Sequence, residues 1–274
     1  MRKIEVIYYR KILGSTTYTV DVPATWNELT TKQVIQVAGL LHSSQQDINR
    51  FRIGLLKILM GFKWYHLVML GGERLIDLFP FVDFIEKEIT LTTNPIHKIK
   101  AIGGTLIGPV GDFSQLTADE WTDADEAYID YRRDGLLCDL DRLIAILYRP
   151  ANPDINLHQV GDIRKTYADH QVLNRIQRLS KVDIRIKQAV VLWYQGCRME
   201  WESVFARVFT SKSEGPDSFG WQETILKLSG AEFGNESQTL KSQMYKLMLK
   251  MEYTLKDDEW TKQQQDARNS KSRA

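Results

Sequence analysis

Polar and apolar positions alternate at the start of the chain, then recur at helical spacing along most of the rest. "KIEVIYYRKI" and "TTYTVDV" are rich in β-branched and aromatic residues, with "LGST" between them. That pattern predicts a β-hairpin over residues 1–22, ended by Pro23. Residues 30–42 and 47–61 read as helices. The second carries Ile53, Leu56, Ile58, Leu59 and Met60, apolar over most of its surface, which predicts a central position. "GGERLIDLFPFVDFIEKE" predicts a further short helical segment, interrupted near Pro80. Residues 97–109, "HKIKAIGGTLIGP", read as a smaller hairpin turning at Gly103 and Gly104.

From residue 117 onward the period is helical. Leu136, Leu137, Leu140, Leu143, Ile144 and Leu147 share one face of a helix over 136–148, which "YRPANPDIN" then breaks. Residues 164–180 and 182–209 read as helices, "TSKSEGPDSFG" as a loop, "WQETILKLS" as a short helix and "GAEFGNES" as a turn. Leu240, Met244, Leu247, Met248, Met251 and Leu255 make a seam at helical spacing. The fold expected is mainly α: a helical bundle with one or two short β-hairpins in the N-terminal half. The expected regions are 1–110, 111–256 and a polar, disordered tail at 257–274.

One phrase occurs twice. "ATWNELTTKQ" at 24–33 is echoed by "GDFSQLTADE" at 111–120, each after a predicted hairpin and a proline. As a helix start, Thr30 is the N-cap, Gln33 reaches back from N3, and Leu29 packs on Val34. Thr117, Glu120, Leu116 and Trp121 repeat the arrangement. This is a capping box with a hydrophobic staple, twice, and each cap contributes about 1 kcal/mol. Trp26 and Phe113 pin the chain ahead of each helix. The phrase therefore reads as architecture; neither copy has the His, Cys or glycine-rich turn of a ligand loop. One duplication, or two hairpins sharing one small sheet, fits the pattern equally.

Composition narrows the function classes. Of 274 residues, 43% are hydrophobic and 10% aromatic, enough for a sizeable core. Lys plus Arg number 36 against 35 Asp plus Glu, a formal charge of +1, which argues against a dedicated nucleic-acid binder. Cys138 and Cys197 lie in apolar helical contexts and read as free buried thiols. The N-terminus has no apolar signal core, and no stretch reaches the roughly 18 apolar residues a membrane helix needs. A soluble intracellular protein is expected, with no membrane partner.

Candidate chemistry is sparse. The dinucleotide, P-loop, zincin, EF-hand and serine-hydrolase patterns are absent. The five histidines do not pair at ligand spacing on a confident helix, apart from the weak pair of His158 with Asp162. No metal, cofactor or reaction is therefore expected. The run "ADEWTDADEAYID" places Asp119, Glu120, Asp123, Asp125 and Glu126 in the first turns of a helix, where the macrodipole favours negative charge. Asp119, Asp123, Asp125 and Glu126 are the candidate docking face for a basic partner. The Met seam reads first as core. Met244, Leu247, Met248 and Met251 are the candidate residues if it is instead a helix-pairing surface. Arg164, Lys165, Arg175, Arg178, Lys181, Arg185 and Lys187 form a basic segment, read as a solvated face before a nucleic-acid stripe.

Several phrases carry a resemblance: Ala145–Pro150, the Gly196–Arg198 turn, and Gly220, Trp221, Leu228, Gly230, Phe233 and Gly234. With the "PATWNELT" opening they resemble uncharacterised proteins encoded among tail genes of phages and prophages of the Bacteroidota. The resemblance implies a role in tail morphogenesis, as an assembly chaperone or a virion component, in the host cytoplasm or on the particle. It implies tube, tape-measure or baseplate-like partners, with self-association as a further option. Tail assembly chaperones are typically small and helical, and the hairpins depart from that picture. A structural virion protein is the alternative, and a nucleic-acid-binding accessory factor a further one.

Overall fold

A computed structural model describes residues 1–10, 14–43, 47–153, 162–210, 221, 224, 225, 228–230 and 232–272. The protein is mainly α with two small antiparallel two-stranded sheets. The chain divides into two units, Met1–Ile99 with Lys181–Cys197, and Lys100–Ser180 with Arg198–Ala274. This differs from the expected sequential division, because a stretch from the C-terminal half joins the first unit.

In the first unit, β1 (Arg2–Arg10) pairs antiparallel with β2 (Gly14–Val22) in a register running from Arg2↔Val22 to Arg10↔Gly14. Gly14, Ser15 and Thr16 of the expected turn thus lie in the strand; Leu13 falls outside the described residues. The first phrase follows. Trp26–Glu28 form a 3-10 turn with Trp26 buried, and α1 (Thr31–Ser43) begins behind it. The capping box is formed as read: the Gln33 N–H donates to Thr30 Oγ1 at 3.3 Å, and the Thr30 N–H donates to Gln33 Oε1 at 2.9 Å. Asp47 caps α2 (Ile48–Leu59), accepting from the N–H groups of Asn49 and Arg50.

α3 (Trp64–Ile76) is interrupted by a non-helical Gly71 at φ +71, a conformation L-residues avoid. Two 3-10 turns, Phe79–Phe81 and Asp83–Ile85, follow around Pro80. Asn27, an unremarked member of the first phrase, organises the segment after them. Its side chain donates to Thr90 O and Thr92 Oγ1 and accepts from the N–H groups of Thr92 and Thr93 at 2.9 and 3.0 Å. That segment lies against α7 (Ile184–Val204), whose residues up to Cys197 belong to this unit. Trp193 Nε1 and Cys197 Sγ donate to Thr92 O, and a Cβ on Gly196 would stand 2.3 Å from Leu91 O.

β3 (Lys98–Ala101), within which the first unit gives way to the second, and β4 (Gly104–Ile107) form the second hairpin, with Gly103 at φ +75. The two hairpins form separate sheets, so the shared-sheet reading is set aside. The second unit holds α4 (Ala118–Asp134), α5 (Leu137–Leu147), α6 (Val172–Leu179), the residues of α7 from Arg198, α8 (Ala206–Thr210), α9 (Glu236–Leu240) and α10 (Met244–Ser272). α4 stops at Gly135, left-handed at φ +69, whose N–H donates to Tyr131 O.

Three expectations are corrected. The helix expected over 164–180 is α6 alone. Before it stand a 3-10 turn at Asp169–Gln171 and a non-helical stretch whose Arg164 bridges to Ala151. The expected disordered tail is helical through Ser272, as a continuation of α10. Cys138 is exposed, because it sits at the first turn of α5 and away from its buried stripe; Cys197 is buried. The loop expected over 210–220 and most of "WQETILKLS" fall outside the described residues. Among the described residues no helix is long and apolar enough to cross a membrane.

Gly196→Ala tests the close approach in the first unit. The added methyl meets backbone, which cannot rotate away, so overpacking is expected to cost about 1–3 kcal/mol or more. Urea unfolding measures it, and a stability unchanged from wild type contradicts the contact.

Candidate functional site

The densest chemistry among the described residues is a buried ionic cluster in the second unit. Its centre is Glu120, at the start of α4. The second copy of the phrase builds this start as the first copy builds α1. Phe113–Gln115 form a 3-10 turn, the Leu116 N–H donates to Phe113 O, and the Trp121 N–H donates to Thr117 O. The expected capping box does not form. Thr117 makes no side-chain cap bond to the helix. The Ala118 N–H donates to Ser242 O, the Met244 N–H donates to Leu116 O, and Asp119 Oδ1 accepts from the Glu120 N–H. Glu120 turns inward instead.

Glu120 Oε1 accepts from Arg164 Nη1 at 2.7 Å, and Oε2 accepts from Arg149 Nη2 at 3.0 Å. Asp162, partly exposed, closes the ring with bonds from Arg149 Nη2 at 2.9 Å and Arg164 Nη2 at 2.7 Å. Arg164 also donates to Leu147 O, and Arg175 Nε donates to Ala145 O. The Tyr167 ring lies under the Arg149 guanidinium, 5.9 Å from ring centre to Cζ. Burial pushes the Glu120 carboxyl up, while the Arg164 and Arg149 guanidiniums hold it down. Asp123 accepts from Tyr167 Oη. Burial raises the carboxyl of Asp123, and burial followed by this bond raises the phenol.

A second buried acid sits one and a half turns along α4. Asp125 Oδ1 accepts from Arg198 Nε at 2.7 Å and Oδ2 from Trp221 Nε1 at 3.0 Å. Around it Trp121 stacks on Trp201 at 5.9 Å and meets Trp221 edge-on at 4.6 Å, while Trp201 contacts Phe113, Phe205 and Tyr245. The staple residues Leu116 and Trp121 are both fully buried, as are Val34 and, nearly so, Leu29.

The acidic docking face is therefore corrected. Asp125 is buried, Asp119 accepts from Thr117 Oγ1 and the Glu120 N–H, Asp123 is taken by Tyr167, and exposed Glu126 pairs with Arg142 at 2.6 Å. For the Met seam only the alternative, a helix-pairing surface, is set aside. Met244, Leu247, Met248 and Met251 are buried within their own chain, and the core reading holds. The basic segment is broken up as well, since Arg164, Arg175 and Lys187 are buried and Arg185 pairs with Asp183.

Arg149 stands in none of the candidate sets read from the sequence, and Arg164 only in the basic segment read first as a solvated face. The available signal was Arg149 directly after the buried apolar run Leu143–Tyr148: a cation that must follow its neighbours inside needs a buried acid. Among the described residues no group of three His, Cys, Asp or Glu is placed to hold a metal ion.

The exposed apolar surface lies elsewhere. On α3 Trp64 is 70% exposed and Val68, one turn on, 62%, with Met69 beside them; beyond Gly71, Ile76 is 61% exposed. Next to α3 runs a groove of about 360 Å³ along β1, lined by Val6, Ile7, Leu70 and Leu78, with Arg74 and Asp77 among its charged groups. No family model, no curated protein and no solved structure matches the chain.

Glu120→Gln is expected to destabilise the protein by about 3–5 kcal/mol, because it leaves Arg149 and Arg164 buried with only Asp162 as counter-charge. Urea unfolding measures the loss. A change under about 1 kcal/mol, the value of an exposed pair, contradicts the buried cluster.

Proposed function

We propose that this chain is a non-enzymatic interaction protein of phage-tail assembly that binds a partner chain through an exposed helical face. The observation that carries the reading is the α3 surface. Trp64 and Val68, one turn apart on α3, and Met69 leave three large apolar side chains in water, and the same helix contributes Leu70 to a groove along β1. Exposed apolar surface is a usual mark of a protein-binding site, and Trp is the residue most often found at its energetic centre. The groove favours an apolar partner segment with a charged rim, matching Arg74, Asp77 and Glu5.

The internal use of charge supports the non-enzymatic part. Glu120, Asp123 and Asp125 make saturated structural bonds, with guanidinium, phenol or indole groups as donors. The tail setting rests on the resemblance carried by Ala145–Pro150, Gly196–Arg198 and the Gly220–Gly234 block. Two of those phrases have structural roles here: Arg149 in the ionic cluster and Gly196 at the Leu91 contact.

The test is capture of the tagged protein from its native lysate, with mass spectrometry of what accompanies it. Tube, tape-measure or baseplate-like proteins are expected, and are expected to be lost from Trp64→Ser/Val68→Ser, a pair that leaves the fold intact because both residues are exposed. Capture unaffected by the double substitution removes α3 as the surface, and recovery of the protein alone removes the assembly reading. Presence in purified particles makes the chain a virion component.

A further inference from the structure

The last helix runs well past its packing. Met244, Leu247, Met248 and Met251 bury one face of α10, yet every residue from Lys256 to Ser270 is exposed. Off the stripe, Glu259 pairs with Arg207 at 2.9 Å, and an exposed helical segment of that length is marginal in water on propensity alone. It also carries aromatic side chains that face solvent. At about 100° per residue, Leu249, Tyr253, Trp260, Gln264 and Ala267 fall within about 60° of one another, on the side opposite the buried methionines. Tyr253 is 58% and Trp260 63% exposed.

Charge decides what this stripe faces. Asp257 and Arg268 flank it on the same side, about 16 Å apart along the axis. In an antiparallel helix pair each flank meets the same flank of its mate with direction reversed. Asp257 of one copy then meets Arg268 of the other, and the two-fold axis makes the contact twice. The same register seats each Trp260 between Gln264 and Ala267 of the other copy, where two small or flexible side chains leave room for an indole. No acidic or basic residue lies on the stripe itself between Tyr253 and Ala267 apart from Lys256 at its edge.

We infer that α10 pairs with the α10 of a second copy of this chain, antiparallel, through the stripe of Trp260, Gln264 and Ala267 flanked by Asp257–Arg268 ion pairs. The contact is one helix pair a few turns long, smaller than a standard interface, so the dimer forms reversibly with concentration. It is independent of α3 and of any partner bound there.

Sedimentation equilibrium of the full chain across a concentration series reads it. The wild-type mass is expected to rise from monomer toward twice that value. Asp257→Arg and Arg268→Asp, each alone, are expected to weaken the dimer about tenfold or more, since each places like charges together twice. The combined swap restores both pairs and is expected to restore the dimer. Trp260→Ser is expected to abolish it. A monomer at every concentration overturns the inference. So does a dimer indifferent to the single reversals, or a swap that fails to restore. All these positions are exposed, and circular dichroism confirms that the variants keep their fold.

Discussion

A carboxylate with no access to water must find its counter-charges inside the protein, and Glu120 finds them on Arg149 and Arg164. Desolvating these three charges costs several kcal/mol each, recovered only if geometry and hydrogen bonding are nearly complete. That demand fixes three separate stretches of chain: the first turn of α4, the second residue past α5, and the non-helical stretch at Asp162–Arg164 that leads toward α6. The backbone bonds of Ala118 to Ser242 and of Met244 to Leu116 then hold the start of α10 to the same place. The aromatic cluster of Phe113, Trp121, Trp201 and Trp221 fills the space beside it.

The two copies of one phrase show how far a sequence can be read. In "WNELTTKQ" the capping box forms as its spacing requires, because Gln33 is uncharged and its Nε2 bond to Leu59 O leaves Oε1 for the Thr30 N–H. In "FSQLTADE" the same spacing builds the same 3-10 turn and helix start, but Glu120 is within reach of two buried arginines. A charge-assisted bond in a dry interior outweighs a cap bond at a helix end. The hairpins, α1, α2, α5 and the Met seam were legible because each rests on local periodicity. The cluster was not, since Glu120 lies 29 and 44 positions from its arginines and no local pattern links them. The tail's polar composition hid a helix that continues one already started, and propagation needs no new nucleus. Asn27 went unread for the reason Glu120 did, its partners being 63 to 66 positions away.

Charge and apolar surface are thus assigned opposite duties. The acids expected on a docking face hold α4 in place, and the methionines, read first as core, fill it. The large apolar side chains left exposed include the α3 pair Trp64 and Val68 and the α10 pair Tyr253 and Trp260. The proposed function follows this division: a packed interior presents helices that gain from being covered.

Native-state hydrogen exchange of the full chain at low concentration tests that division most directly. A rigid ionic core predicts that amides of residues 118–124 and 144–149 exchange only through global unfolding, while those of residues 256–270 exchange by local fraying, orders of magnitude faster. Exchange at 118–124 as fast as at 256–270 contradicts it, because Glu120 then opens to water without the rest of the fold.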